Sequence, residues 1–410
     1  MGLIYYYKNQ FDKSIEYHEK ALKIRIEVFG LKHDDIASSY DNLGVAYLNK
    51  VQYDKAVECY GNALKIRLEL YKSNHADIAL SYYNLGVTHN SKRECDKATD
   101  YFEKALQIRL KIFGMNHVDV ALIYSNLGNI YYYKVQYKKA IEYYEKALKI
   151  RLDVLGPNHT EVASSYDNLA TVYDKVAQYD KAKECYEKSL GIRFEIYELD
   201  HVDVARTLSC LGVIYCNTEQ KAKGIECMKN AVQIMTKMLG PNNSEVALTY
   251  YNLGKACYDD DQYDQAITFY EASLKIRLKI LGIAHNDIAQ CYDALGCAYS
   301  CSEQYDKAIE CHEKALKIRL EIFGPNHIDV ADSYFELGCN YEEMDRHTKA
   351  IECYEQSLKI RLESFGSSHI DVFETYLNLG IALDGNGQHS GAIECYDNAA
   401  KIRAVVDEKE

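Results

Sequence analysis

The chain has 410 residues, with 48 Lys and Arg against 61 Asp and Glu for a formal charge of -13; 48% is hydrophobic and only three residues are proline. That balance speaks against a basic nucleic-acid-binding surface and against a disordered or low-complexity chain. No segment reaches the ~18 apolar residues of a membrane span, and the opening MGLIYYYKNQ carries neither the apolar run of a signal peptide nor the Ser or Thr of a myristoylation signal.

A small residue returns every 42 positions along the whole chain: Gly2, Gly44, Gly86, Gly128, Ala170, Gly212, Gly254, Gly296, Gly338 and Gly380. No insertion or deletion breaks the count. A fixed period with two helical patterns per unit predicts a stacked repeat array, in which each unit buries its apolar face only against its neighbours. The expected fold is therefore all-α, one continuous solenoid of antiparallel helix pairs. Residues 1–34 form a partial first repeat that begins inside a first helix, 35–370 form eight full repeats, and 371–410 form the last repeat and a tail.

Asp77 to His117 serves as the type repeat. Asp77 lies in the first turn of a helix, where a carboxylate is favoured by exposed N–H groups. Ile78, Ala79, Tyr82, Leu85, Gly86 and His89 follow at helical spacing and predict a first helix of about four turns. Ser91 to Glu94 supply the turn. Cys95, Ala98, Tyr101, Phe102, Ala105, Leu106, Leu110 and Phe113 then mark a second helix, closed by Gly114. Gly86 and Ala98 are expected where the two helices cross, and Ala105 where the next first helix packs.

Further along, the unit from Asp203 to Ser244 departs most from the pattern, with Leu208, Cys210, Gly224, Met235 and Asn243 at its recurring positions. Gly224 inside a helix costs about 1 kcal/mol relative to Ala, which makes this unit a candidate hinge. The chain then closes on KIRAVVDEKE without an extra polar helix. Solenoid ends are normally capped, so the expectation is a piece of a longer protein or ends that self-associate.

The positions Tyr40, Leu43-Gly44, Tyr47, Ala56, Tyr60 and Ala63 resemble the tetratricopeptide repeat, with Tyr in place of its usual Trp. The 42-residue form, with ALKIRLEIFGPNHIDVADSYFELG at 315–338, is similar to the repeats of kinesin light chains and nephrocystin-like scaffolds. The resemblance implies a right-handed superhelix whose concave groove, lined by first helices, holds extended peptides. Association with a kinesin heavy chain would require a coiled coil upstream of Gly2.

Residues with possible chemistry mostly read as structural. His33, His75, His117, His159, His201, His285, His327 and His369 occur once per repeat, too far apart to share a metal, and suit a loop or cap role. The recurring arginines, such as Arg67, Arg151 and Arg319, are expected to pair with carboxylates in the adjoining loop. Cys59, Cys185, Cys227, Cys311, Cys353 and Cys395 share one position with Tyr17, Tyr101, Tyr143 and Phe269, which marks them as apolar fillers rather than disulfide partners and points to a reducing, cytoplasmic setting. Cys291, Cys297 and Cys301 lie in one helix without a CxxC pair. No phosphate loop, nucleophile elbow or metalloprotease motif is present, so no catalytic residue, metal site or cofactor is expected.

The informative set is Asn42, Asn84, Asn126 and Asn168, resuming at Asn252 and Asn378, each one residue before the Leu-Gly. Its relatives imply that this Asn points into the groove and holds ligand backbone, since an amide offers donor and acceptor. Tyr83, Asn129, Tyr132 and Lys175 are the accompanying groove-side candidates for aromatic and acidic ligand side chains. Residues 1–150 carry 22 Lys and Arg against 18 Asp and Glu, so an acidic partner is expected there. The leading expectation is a non-enzymatic adaptor for extended peptide segments. The rivals are a regulatory module of a larger signalling protein and a self-assembling solenoid.

Overall fold

A computed structural model describes residues 1–197 and 200–407, and the side chains through residue 404. The final residues of the expected tail, 408–410, lie outside the described residues. Twenty α-helices and no strand are present among the described residues. They fall into two compact units, Met1–Glu198 and Leu199–Glu410, a division that the unbroken 42-residue register does not reveal.

The first unit contains α1 (Gly2–Tyr7), α2 (Phe11–Phe29), α3 (Asp34–Asn49), α4 (Tyr53–Leu70), α5 (Ala76–Ser91), α6 (Cys95–Phe113), α7 (Val118–Tyr133), α8 (Tyr137–Leu155), α9 (Thr160–Lys175) and α10 (Tyr179–Ile196). The second contains α11 (Val202–Asn217), α12 (Lys221–Leu239), α13 (Ser244–Tyr258), α14 (Tyr263–Leu281), α15 (Asn286–Cys301), α16 (Tyr305–Phe323), α17 (Ile328–Glu342), α18 (His347–Phe365), α19 (Ile370–Gly385) and α20 (His389–Asp407). Odd-numbered helices are the first helices of their repeats. Within each unit a first helix packs on its own second helix, which in turn packs on the next first helix.

The recurring histidines set where the first helices begin. Each is the N-cap: His117 Nδ1 accepts the Asp119 N–H at 3.2 Å, and His159 Nδ1 accepts from Glu161 at 3.1 Å. One of the orphan N–H groups of the first turn is thereby satisfied. Where His is replaced by Asn243, its Oδ1 accepts the Glu245 N–H at 2.8 Å, so the substitution preserves the cap. The cap imidazole also stacks on the preceding aromatic, Phe113 on His117 with centroids 4.1 Å apart. The expected cap role of the histidines is thus observed.

First helices end by a left-handed residue. Val135 at φ 59° lets the Gln136 N–H reach Tyr131 O at 2.9 Å, closing the last carbonyls, and it is one of nine such non-glycine residues among the described residues, from Asn9 to Asp345, at φ 56–63°. Second helices of the type repeat end at a glycine, Gly114 at φ 75°.

The recurring small residue proves to face an aromatic ring rather than the facing alanine alone. A Cβ on Gly86 would lie 2.9 Å from the Phe102 ring, and one on Gly128 would lie 2.6 Å from the Tyr144 ring. Those rings fill the space that the missing side chain leaves. Ala105 clusters with Ile123 and Leu127 of α7, as expected for the site where the next first helix packs.

The buried arginines correct the loop-carboxylate expectation in most repeats. Arg67, 3% exposed, donates to Ser81 Oγ at 2.7 Å on the next first helix and pairs with Asp41 Oδ2 at 2.7 Å on its own. Arg151 meets Ser165 at 2.6 Å and Glu161 at 2.7 Å. The reason is reach: the guanidinium is buried between stacked helices, where a hydroxyl and a helix-borne carboxylate can satisfy its donors. Arg319 follows the rule with Ser333 at 2.6 Å and Asp293 at 2.5 Å.

In the degenerate unit, Gly224 is not simply a weak point. A Cβ there would sit 2.5 Å from Gly212 O and 2.4 Å from Cys216 Sγ. α11 and α12 therefore approach closely, with Met228, fully buried, standing where other repeats carry an aromatic ring.

Candidate functional site

The first-helix face of the first unit holds the asparagine series. Asn42 lies on α3, Asn84 on α5, Asn126 on α7 and Asn168 on α9, all half-buried. Each sits on a helix whose buried side is fixed by the following Leu and small residue, Leu127 and Gly128 in α7. The amide is thus carried on the edge of the core and does not belong to it.

Their hydrogen bonding differs. Asn126 Nδ2 donates to Leu122 O at 2.9 Å and to Tyr83 Oη at 3.4 Å, which spends its two N–H groups and leaves its Oδ1 as acceptor. Tyr83 and Asn126, both expected at the site, are therefore brought together across neighbouring repeats. Burial raises the Tyr83 phenol above its ordinary pKa. Asn42, Asn84 and Asn168 make no side-chain hydrogen bond among the described residues, so both their donor and acceptor functions are unspent.

Asn129 has a different role. Its Oδ1 accepts from Tyr144 Oη at 2.6 Å, satisfying the hydroxyl of a ring that is 4% exposed. In the next repeat Thr171 meets Tyr186 Oη at 3.1 Å in the same way. Asn129 thus serves the internal pairing of its repeat, a role its surface-like sequence position does not disclose.

Tyr132 is half-buried and packs on Tyr133 and Tyr137, with centroids 5.6 and 5.9 Å away. Burial raises its phenol too. Lys175 is exposed and ends α9, where a cation also suits the helix dipole. Asn252 lies on α13 in the second unit, apart from the series on α3 to α9. In that unit the register position is taken by Cys210, Ala294 and Glu336, and burial raises the Glu336 carboxyl above its ordinary pKa.

Cysteines at the filler position behave as the sequence suggests. Cys59 and Cys311 are buried and free, and burial pushes their thiols up to about 12 and about 11. No helix among the described residues is long and apolar enough to cross a membrane.

A family model described as tetratricopeptide repeat matches residues 1–50, 51–111, 119–193, 203–279, 245–321, 298–363 and 341–404. No curated protein matches. Among solved structures, the apo form of the quorum sensor NprR from B. thuringiensis superimposes with a TM-score of 0.59 at 15% identity, over 93% of this chain and 99% of that one. The apo form of RapI gives 0.53 at 18% identity, over 69% and 97%. BtubC (BKLC) from P. vanneervenii gives 0.50 at 24% identity, over 56% and 92%. These likenesses extend to the fold alone. With the repeat model covering most of the chain and the helix pairs, caps and glycine-ring contacts recurring at its period, the chain belongs to the tetratricopeptide repeat family.

Proposed function

We propose that the protein is a non-enzymatic, cytoplasmic scaffold that binds an extended peptide segment along the first-helix face of its first unit. The observation that supports this reading is the unspent amides of Asn42, Asn84 and Asn168 on α3, α5 and α9, with the Tyr83–Asn126 pair completing the one-per-repeat series at α7. A peptide backbone presents alternating N–H and C=O groups, and an amide answers both without regard to side chains. Tyr132 offers a ring for an apolar or aromatic side chain, and Lys175 a charge for an acidic one. The extended second helix with its K-I-R-L-E-I-F-G-P-N-H form makes a kinesin light chain-like cargo adaptor the specific version of this proposal.

The test is the triple variant Asn84→Ala, Asn126→Ala, Asn168→Ala, measured against the tightest peptides selected from an array of acidic and aromatic extended sequences. Three lost amide contacts at ~0.5–1.5 kcal/mol each predict at least a tenfold fall in affinity with the fold retained. Asn378→Ala is the control, because that amide donates to Glu374 O at 2.9 Å in the second unit. Unchanged affinity in a folded triple variant rules the site out.

A further inference from the structure

The second unit contains a side-chain cluster that the peptide reading does not use. Cys297 of α15, His312 of α16 and Glu336 of α17 each offer a ligand atom, and these three atoms lie within 4.8 Å of one another. His312 is wholly buried, and its Nε2 has no hydrogen-bond partner among the described residues. Leaving a buried nitrogen without a partner is unfavourable, and the described residues do not supply one.

We propose that Cys297, His312 and Glu336 form a binding site for a zinc-type divalent transition-metal ion. A thiolate, an imidazole and a carboxylate are the donor set that such a borderline-soft ion accepts. Metal–ligand bonds of about 2.0–2.3 Å place tetrahedral ligand atoms about 3.3–3.8 Å apart, so small side-chain rotations close the cluster. Three protein ligands leave a fourth position for water or an incoming ligand group. Cys297 and Glu336 are half-buried, whereas His312 is wholly buried.

The other imidazole nitrogen is already held. His312 Nδ1 lies 3.2 Å from Asp293 Oδ1, whose second oxygen pairs with Arg319 at 2.5 Å. A carboxylate on the far nitrogen fixes the tautomer that leaves Nε2 free to ligate, and it is the usual support behind a metal-bound histidine. Arg319 is itself anchored on Ser333 at 2.6 Å. The orientation of the ring is thus set through two helices before any ion arrives.

Comparison among repeats argues that the cluster is more than drift. The position of His312 is Tyr or Phe in most units, that of Cys297 is Val45, Val87 and Val213 in others, and that of Glu336 is the Asn of the series. The thiol recurs one repeat on as Cys339, where it faces Tyr354 and the series position is Asn378; only at Cys297 do a histidine and a carboxylate join it. The other histidine at this position, His18, sits against Gly2, and its repeat carries Leu3 and Asn42 where the thiol and carboxylate would be. A histidine that merely replaces the ring needs neither.

The inference stands independently of peptide binding in the first unit. Its test uses the full chain, reduced and freed of metal, titrated with Zn²⁺ against a chromophoric chelator, and loaded separately with Co²⁺ to read thiolate-to-cobalt absorption. One tight site per chain and a charge-transfer band are expected. Cys297→Val, His312→Tyr and Glu336→Asn each install the residue of sister repeats, so they keep the fold, and each should weaken zinc by at least 100-fold. Asp293→Asn should weaken it about tenfold while the cobalt band persists. The absence of a tight site in the parent, or equal zinc affinity in folded His312→Tyr, overturns the assignment, the latter placing the metal on other cysteines.

Discussion

The two units are built on one register but differ in what their first-helix faces carry. Residues 1–198 hold 28 Lys and Arg against 27 Asp and Glu, and the remaining residues hold 20 against 34. The first unit keeps Asn at four successive register positions, whereas the second has Cys210, Asn252, Ala294, Glu336 and Asn378. Caps, left-handed turns and buried arginines nevertheless recur in both, as His117 and His327, Val135 and Glu303, and Arg67 and Arg361 show. Positions that satisfy backbone or buried charge are held by a local energetic requirement in every repeat. Positions on the edge of the core have no such requirement, and there the units have diverged in charge and donor chemistry.

The largest effect should come from charging the core of either unit. Leu127 is fully buried in the first and Leu295 is 3% exposed in the second. Leu127→Asp and Leu295→Asp should each cost ~3–5 kcal/mol through lost packing and an unpaired buried charge. Hydrogen exchange should show protection lost in the unit carrying the change and kept in the other, since repeat contacts are local. Loss throughout the chain from either substitution would show that the units melt as one.

Gly224→Ala sharpens the contrast between helix propensity and packing. Propensity by itself predicts a gain of about 1 kcal/mol. The added Cβ would meet Gly212 O at 2.5 Å, a backbone atom, so overpacking should instead cost ~1–3 kcal/mol. Chemical denaturation followed by circular dichroism decides the sign, and stabilisation would mean that α11 and α12 separate freely.

A smaller change is expected at the turns. Val135 is β-branched at φ 59° yet 67% exposed, so its side chain strains the turn with little packing to offset it. Val135→Gly should stabilise the first unit by ~0.5–1 kcal/mol. Asp261→Asn, at φ 57° in the second unit, should be nearly neutral, because both residues tolerate the left-handed region. Equal melting shifts for the two would remove strain as the cause.

The least effect, and a directional one, concerns Asp174 of α9. Burial raises its carboxyl pKa above the ordinary value of 3.8. The folded state therefore holds the proton more tightly than the unfolded chain. Stability from this group is fully present below 3.8 and is lost as pH rises through the higher folded value. Asp174→Asn should flatten that decline, and urea midpoints measured across the acidic range would reveal an unaltered slope if another group is responsible.

Much of the repeat was readable from residue spacing because its causes are local. The turn expected at Ser91–Glu94 is found one residue shorter, since Ser91 still closes α5 and α6 starts at Cys95, and Gly114 caps the second helix. Histidine as a cap followed from its single occurrence per repeat. By contrast, Asn129 and Asn126 look alike in sequence, yet one serves Tyr144 and the other meets Tyr83. That distinction depends on which ring lies across the helix pair.

By itself the sequence determined the all-α class, the 42-residue helix-pair unit and the ends of its helices, because periodicity, caps and glycine stops act within a few residues of one another. Only the tertiary structure decided the partners of the buried arginines, the close approach at Gly212 and Gly224, and the meeting of Cys297, His312 and Glu336 from three helices. Those outcomes depend on distances between residues far apart in the chain, and stacked helices set such distances through side-chain volume and packing, which no single repeat read alone contains.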